Sequence, residues 1–488
     1  MRVNGFEHGL DSSIDARHDS LVFSYESNRL FVFNKPIEEM LHTRQGLEKL
    51  SEMLQIFRQE QVKRLDILRS YSRGDNYGIL KGRRRLDEEK ADYRLRHNLA
   101  GYISNFITSY SISKPISISY LDSEDDLGTE DLAEVEEVNN YNNSNWLNYN
   151  LAYDCSRYGR AYELHFFDGE EDVFVQLPPQ EVFIIHDATV TKNVIAAVHC
   201  PVYQNEVLIT VYTRSETVVF KPVGLELGQL QIQSVTKNIY DEVPIVEWSN
   251  NLDKSGDFES VISLIDAYDS AESDTANYMS DTNDAMLVIK GDLNATGIDN
   301  ETAAAMKKAN ILLLESGLSP DGKQTDLSAE YIYKQYDVQG TEAYKSRLLN
   351  DIFKLSNIPN IDDKNFGNAT SGVAIQYRLI GLKQLQSIKE YLFKKALRER
   401  YRLTENLHKK LGKKVFDSSK LRFTFHPNLP QDLWEEVGKY VSSGGDISQE
   451  TLREVASFTS NKKESSRLEN ERKELFQDWE LNHDHVSE

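Results

Sequence analysis

The chain has 488 residues, a formal net charge of −22 and a hydrophobic content of 39% that includes 25 Tyr and 20 Phe. A chain of this length suggests about three domains, and its apolar content excludes a disordered tail. The negative charge repels nucleic acid and anionic membranes at long range, which weighs against a simple DNA-coating protein. The two cysteines, Cys155 and Cys200, have no metal-ligand or redox spacing and suit a reducing cytosol. The N-terminus "MRVNGFEHGLDSS" has no apolar run of a signal peptide. No stretch approaches the roughly 18 apolar residues of a membrane span, and no solenoid-type repeat is present. The expectation is a soluble, intracellular protein.

From about Pro36 to Leu68 the spacing of Leu41, Leu47, Leu50, Leu54 and Phe57 predicts helix. "YSRGDNYGILKGRRR" breaks it with glycines and a basic run whose Lys81–Arg85 is expected to be solvated or paired. A second helix is predicted from Tyr93, carrying Leu99, Tyr102, Ile103, Phe106 and Ile107 and ending before Lys114-Pro115. "TEDLAEVEEVNNYNNSNWLNYNLAYDCSRYG" then reads as helix broken at an Asn-rich turn. From Arg160 the pattern changes to apolar runs separated by turns, first around Gly169, and predicts a β-rich half-domain to about Pro244.

The segment Phe258–Met286 returns to helical periodicity. Val261, Leu264, Ile265, Tyr268, Thr275, Tyr278 and Met279 share one side of the wheel, and Asp266, Asp269, Ser273, Asn277, Asp281 and Asp284 share the other. The segment carries seven acids and no Lys or Arg, so helix-stabilising i,i+4 ion pairs are missing. Something other than local charge pairing must favour a negative face there.

"AMLVIKGD" and "SAEYIYKQYD" read as strands, with a short helix "NETAAAMKKANILLLES" between them. Helix resumes at about Gly340 with Tyr344, Leu348, Ile352 and Leu355 and stops at Asn357-Ile358-Pro359. A polar loop, "DDKNFGNATSGVA" from Asp362, follows. Thr370 or Ser371 is a plausible N-cap for a proline-free helix of about 40 residues, beyond the usual globular length. Its apolar stripe is read as Ile375, Leu379, Leu382, Leu385, Ile388, Leu392, Ala396, Leu403, Leu407 and Leu411. Between Lys383 and Lys414 eleven Lys and Arg stand against three Glu, a local excess of +8. Beyond Pro430 two shorter helices and a charged tail complete an α+β chain.

Enzyme signatures are not found: there is no phosphate-binding G-x-x-x-x-G-K-[ST], no H-E-x-x-H and no G-x-S-x-G. The pairs Asp125-Asp126 and Asp362-Asp363 have the chemistry to hold Mg²⁺, but solvated turns or helix caps are the plainer reading. No cofactor, no metal and no enzyme activity are expected. On the residues alone the loop at Asp362 fits two descriptions. One is an anion site before a helix N-terminus; the other is an ordinary connector whose Gly and Asn supply turns.

Several segments in order resemble one family. "YSRGD" and "RLRHNLAGYISNFITSYSISKPISISY" are similar to a helix ending in a Tyr-x-x-Gly-Lys-Pro signature, with Ser113 replacing the Gly. "YDCSRYGRAYELHFFD", "PPQEVFIIHD", "VPIVEWSNNLDKSGDFESVISLIDAYDSAESD", "DAMLVIKG" and "LSNIPNIDDKNFGNATSGVAIQYRLIGL" continue the match from about Tyr71 to His408. The chain thereby resembles the portal proteins of tailed double-stranded DNA bacteriophages, of the type found in long-tailed phages of Gram-positive hosts.

The resemblance implies a portal fold that assembles as a ring, a dodecamer, at one capsid vertex. It implies an N-terminal arm (1–35), a mixed α/β wing (36–257), a first stem helix (258–284) and a small α/β clip (285–339). A second stem helix (340–356), a tunnel loop (357–371), a long kinked helix leading into an α-helical crown (372–462) and a charged tail (463–488) follow. The tunnel loop would present Asp362, Asp363, Lys364, Asn365, Phe366, Gly367 and Asn368 to DNA. Lys364 and Asn365 would touch phosphates, and Phe366 would pack between neighbouring loops. Asp266, Asp269, Asp281 and Asp284 would line the channel, so that DNA slides without adhering. Lys394, Lys395, Arg398 and Arg402 would pair between subunits or in the crown. The implied partners are a terminase motor, head-completion or adaptor proteins, major capsid and scaffolding proteins, and double-stranded DNA passing non-specifically; no membrane partner is implied. Location would be the portal vertex of the virion, and host cytoplasm during assembly. A non-ring virion scaffold or adaptor, or a packaging nuclease, are the competing classes.

Overall fold

The computed structural model describes residues 28–80, 91–120, 127–203, 206–222, 230–281, 286–291, 311–315, 328–332, 337–360 and 379–428. Strand β1 (Phe31–Phe33) leads into α1 (Ile37–His42), α2 (Arg44–Ile56), a π-helical turn (Phe57–Gln61) and α3 (Val62–Ser72). Thr43 separates α1 from α2 and caps α2, its hydroxyl accepting from Gly46 N at 3.1 Å. Gly46 is required there because a Cβ would lie 2.1 Å from the carbonyl oxygen of Glu39. The short α4 (Tyr77–Leu80) precedes an extended segment, residues 91–98, and α5 (Leu99–Ile112).

The helix predicted from Tyr93 thus begins six residues later, at Leu99. Asn98 stops it from extending back, because its side chain caps the helix by accepting from Gly101 N at 3.0 Å. Its other end is at Ser113, whose right-handed φ of −73° needs no glycine, so that departure from the family signature is sterically free.

Strand β2 (Ser117–Tyr120) is followed by the helical hairpin α6 (Leu127–Tyr141) and α7 (Ser144–Tyr158). The β-rich part contains β3 (Arg160–Phe167), β4 (Asp172–Leu177), β5 (Val182–Asp187), β6 (Val194–His199), β7 (Val202–Tyr203), β8 (Glu206–Val207), β9 (Ile209–Thr213), β10 (Glu216–Pro222), β11 (Leu230–Lys237) and β12 (Ile245–Ser249). One six-stranded sheet has the order β1-β5-β6-β9-β10-β11; a second has the order β12-β3-β4. Among the described strands of these two sheets only β1 runs parallel to its neighbour, with Phe31 opposite Ile185.

Helix α8 (Ile262–Asp281) leads to β13 (Met286–Gly291), β14 (Ile311–Glu315) and β15 (Ser328–Ile332). These strands form a sheet of order β14-β13-β15, parallel then antiparallel. The "ILLLE" stretch of the expected short helix is therefore a strand, since Ile311 to Glu315 pair with β13. Helix α9 (Val338–Leu355) starts on an Asp337 cap and packs along α8. Helix α10 (Ile380–Leu411) ends at Gly412 in the left-handed conformation. Strand β16 (Leu421–Thr424) then pairs antiparallel with β2, placing Leu421 opposite Tyr120.

Two main cores result. One gathers Met40, Leu54, Phe57, Phe183, Val198 and Phe220 between α2 and the six-stranded sheet. The other packs α10 through Phe393, Leu397, Tyr401 and Leu407 against Leu151, Trp248 and Phe423. The expected stripe is buried at Leu379, Leu382, Ala396, Leu403 and Leu407 and widens to take in Phe393, Leu397 and Tyr401, whereas Ile388 is 53% exposed and Leu411 41%.

Candidate functional site

The polar face of α8 is occupied from within the chain. The extended segment 91–98 lies along it, and three helix side chains at i, i+4 and i+8 bond three alternate residues of the segment. His97 N–H donates to Asp269 Oδ1 at 2.9 Å, Leu95 N–H to Ser273 Oγ at 2.9 Å, and Tyr93 N–H to Asn277 Oδ1 at 2.8 Å. Ser273 and Asn277 also donate back, to the carbonyls of Leu95 and Tyr93 at 3.4 Å each. The spacing works because four helical residues rise about 6 Å and two extended ones about 6.6 Å.

Asp269 is fully buried. Beyond the His97 amide it holds His97 Nδ1 at 2.9 Å and the Asn76 amide. One turn earlier, Asp266 accepts from Tyr71 OH at 2.7 and 2.9 Å, and the same hydroxyl accepts from Gly78 N. Burial and Asp266 together push the Tyr71 phenol well above its ordinary range. The expectation that Asp266 and Asp269 line a channel is therefore corrected: both carboxylates anchor α8 to helices α3 and α4 and to the 91–98 segment. Asp281 ends α8, and its side chain, with Asp284, lies outside the described residues. The loop residues Asp362, Asp363, Lys364, Asn365, Phe366, Gly367 and Asn368 also lie outside them, as do the predicted caps Thr370 and Ser371.

The approach to α8 is a meeting point of three parts of the chain. Asp257 accepts from Ser156 Oγ at 2.6 Å, from Asn250 Nδ2 at 2.9 Å and from Lys389 Nζ of α10 at 2.7 Å. Two residues on, Glu259 receives a two-pronged guanidinium contact from Arg64, with Nε at 2.8 Å and Nη2 at 2.5 Å. Gly159, at φ +83°, closes α7 beside this point; a Cβ there would lie 2.0 Å from the Lys254 carbonyl oxygen. On the other side of α8, Lys345 of α9 reaches Glu272 at 3.3 Å and Glu342 at 2.5 Å.

Helix α10 is held by a second buried network. Arg400 grips Glu163 with Nε at 2.7 Å and donates to Asn148 Oδ1 at 2.7 Å. His165 bridges Glu163 and Asp172 at 3.0 Å each, and Asp172 also accepts from Tyr240 OH and Thr404 Oγ1 at 2.7 Å each. Two cations thus answer two carboxylates out of water, with most remaining lone pairs bonded. Burial alone would raise Glu163, but Arg400 and His165 hold it at about 2. Burial alone would lower His165, but Asp172 and Glu163 raise it to about 9.

The basic residues of α10 expected to pair between subunits pair mostly within the chain. Lys394 meets Glu390 at 3.3 Å, Lys395 meets Glu399 at 3.9 Å, and Arg402 meets Glu242 at 2.5 Å. Arg398 is exposed and has no partner among the described residues. Missing from the sequence reading were the 91–98 segment, Asn76 and the Arg400 network. The one available signal was Asp269, Ser273 and Asn277 at four-residue spacing, small polar groups of a kind that can bond an adjacent backbone. Among the described residues no group of three or more His, Cys, Asp or Glu is placed to hold a metal ion, and no helix is long and apolar enough to cross a membrane.

The described residues combine a mixed α/β body, the packed pair α8 and α9 with a small three-stranded sheet between them in sequence, and a long helix whose inner face joins the core. The chain belongs to the phage portal proteins. Residues 57–477 match the family described as phage portal protein, SPP1 Gp6-like. The portal protein of Clostridium phage phiCD119 is 23% identical over 348 residues, which cover 67% of this chain and 74% of that one. Among solved structures, a chain from the neck of an empty GTA particle aligns with 13% identity and a TM-score of 0.40, covering 73% of this chain and 89% of its own. A chain from the virion of a native gene transfer agent particle gives the same identity and TM-score, covering 78% and 98%.

Proposed function

We propose that this protein forms a ring, a dodecamer, at one vertex of a phage capsid, and that double-stranded DNA is packaged and later ejected through its centre. The observation that carries this reading is the family match, which runs unbroken through the stem-like pair α8 and α9 and the long helix. In this reading residues 36–257 form the wing, 258–284 and 340–356 the stem, 285–339 the clip, and 357–371 the tunnel loop at the constriction. The long helix and crown face the capsid interior.

The chain acts as a conduit and a dock. The terminase motor, which carries the ATP chemistry, binds the clip side first; head-completion and adaptor proteins replace it once the genome is in. Such a conduit must avoid net attraction to phosphate, because each neutralised phosphate adds salt-dependent affinity. The total charge of −22 suits that requirement. With Asp266 and Asp269 bonded inside the subunit, the lumenal surface falls to the outward face of the helix pair, where Glu342, Tyr344 and Arg347 are exposed, and to the tunnel loop.

Electron microscopy of the purified chain across a concentration series tests the reading. End-on rings with a hole wide enough for a duplex are expected. Compact monomers at every concentration, and also with scaffolding and capsid protein present, would overturn it in favour of a non-ring adaptor.

A further inference from the structure

Two surface patches have no counterpart among the described residues, and they face opposite ways. The first is the outer ridge of α10. Ile388 and Tyr391 are 53% and 76% exposed despite their apolar character. Arg398 lies two turns past Tyr391 on the same face, exposed and unpaired among the described residues. The second is the bend between α6 and α7. Trp146 is 62% exposed, stacks on Tyr149 with ring centroids 6.1 Å apart, and with Ile112, Pro115 and Ile116 walls a cleft of about 320 Å³. Glu136 and Glu137, near the end of α6, are exposed and without a cationic partner among the described residues.

The two patches are opposed because of the helix that separates them. Side chains on α10 turn by about 100° per residue, so Arg398 points roughly 160° away from Arg400. Arg400 donates to Asn148 on α7, the helix that carries Trp146. A knob on one side and a cleft on the other cannot satisfy each other in one chain or across a two-fold axis. They suit a head-to-tail contact that repeats.

We propose that the Ile388–Tyr391 ridge of one copy seats in the Trp146 cleft of the next, with Arg398 pairing to Glu136 and Glu137. An aromatic anchor in a desolvated cleft, flanked by a charge pair, is the usual form of an energetic hot spot. The proposal rests on the ring reading and names the surface that builds the ring.

Sedimentation velocity and electron microscopy on the full chain test it with Arg398→Glu, with Glu136→Lys plus Glu137→Lys, and with all three together. Each reversal should weaken self-association by about tenfold or more, and the combination should restore it. Trp146→Cys with Tyr391→Cys should give an oxidation-dependent ladder of linked subunits, against a low background because Cys155 and Cys200 are buried. Wild-type rings that ignore both reversals and yield no ladder would overturn this contact and leave the ring intact. Weakening without rescue would overturn the charge pairing. A wild type that never self-associates, with scaffolding and capsid protein present as well, would remove the ring reading and this contact with it.

Discussion

Asp269 illustrates how much one side chain decides. Its carboxylate takes the His97 amide, the His97 ring and the Asn76 amide in a site with no exposure. Asp269→Ala would leave those donors buried and unmet, which costs about 1–3 kcal/mol for a neutral group and more beside a lost charge. Urea unfolding should therefore show a loss of about 3 kcal/mol; an unchanged midpoint would return Asp269 to the role of a solvated channel residue. Residue order alone offers no means of choosing between these roles. A helical wheel says which residues share a face, and Asp266, Asp269, Ser273 and Asn277 do share one. It does not say what packs on that face, because the partner lies about 180 residues earlier in an extended stretch with no periodicity of its own.

At the scale of elements, the bond between α8 and the 91–98 segment is made by side chains on one partner and backbone on the other. Its signature is alternation. The amides of Tyr93, Leu95 and His97 are bonded to Asn277, Ser273 and Asp269, and those of Arg94 and Arg96 show no such bond. Hydrogen exchange should be slow at the first three and fast at the other two, and Ser273→Ala should release Leu95 first. Uniform rates along the segment would mean that the ladder does not persist in solution. The turn at Gly159 is a second element-scale dependence. Its positive φ and the nearby Lys254 carbonyl leave no room for a methyl group. An unstrained Gly→Ala change stabilises by about 0.4–1 kcal/mol; Gly159→Ala is instead expected to destabilise by more than that and to lower the thermal midpoint. Element types were largely legible where periodicity was strong, as in α2, α8, α9 and α10. Strands β14 and β16 were not, since "ILLLE" and "LRFT" carry short runs that only pairing with β13 and β2 resolves.

At the scale of the molecule, the Arg400 network ties a late helix to early strands, and its charges make that tie dependent on pH. The folded value of His165, about 9, lies above its ordinary 6.5. Its contribution is therefore complete below 6.5 and lost as pH climbs toward 9. Glu163, held at about 2 against an ordinary 4.5, contributes above 4.5 and loses that contribution as pH falls toward 2. Thermal midpoints of wild type and His165→Gln should diverge most near pH 6 and converge near pH 9. A gap that stays constant over that range would show that the imidazole is not charged in the fold. The division into a helical start, a β-rich middle and a long late helix could be read from the chain. The full width of the buried face of α10 could not, because it also includes Lys389, Arg400 and His408, and buried cations look like solvent-facing ones until their partners are known.

The antiparallel course of the 91–98 segment along α8 has a mechanical consequence. A load drawn along the helix axis puts the ladder in shear, so the contacts at Asp269, Ser273 and Asn277 share the strain and must fail together. A load that lifts the segment from one end opens them one at a time, like a peeled tape. The same bonds thus make a stiff joint in one direction and a compliant one in the other, and a tilt of α8 carries residues 93–97 with it while a lift at Tyr93 need not move the helix.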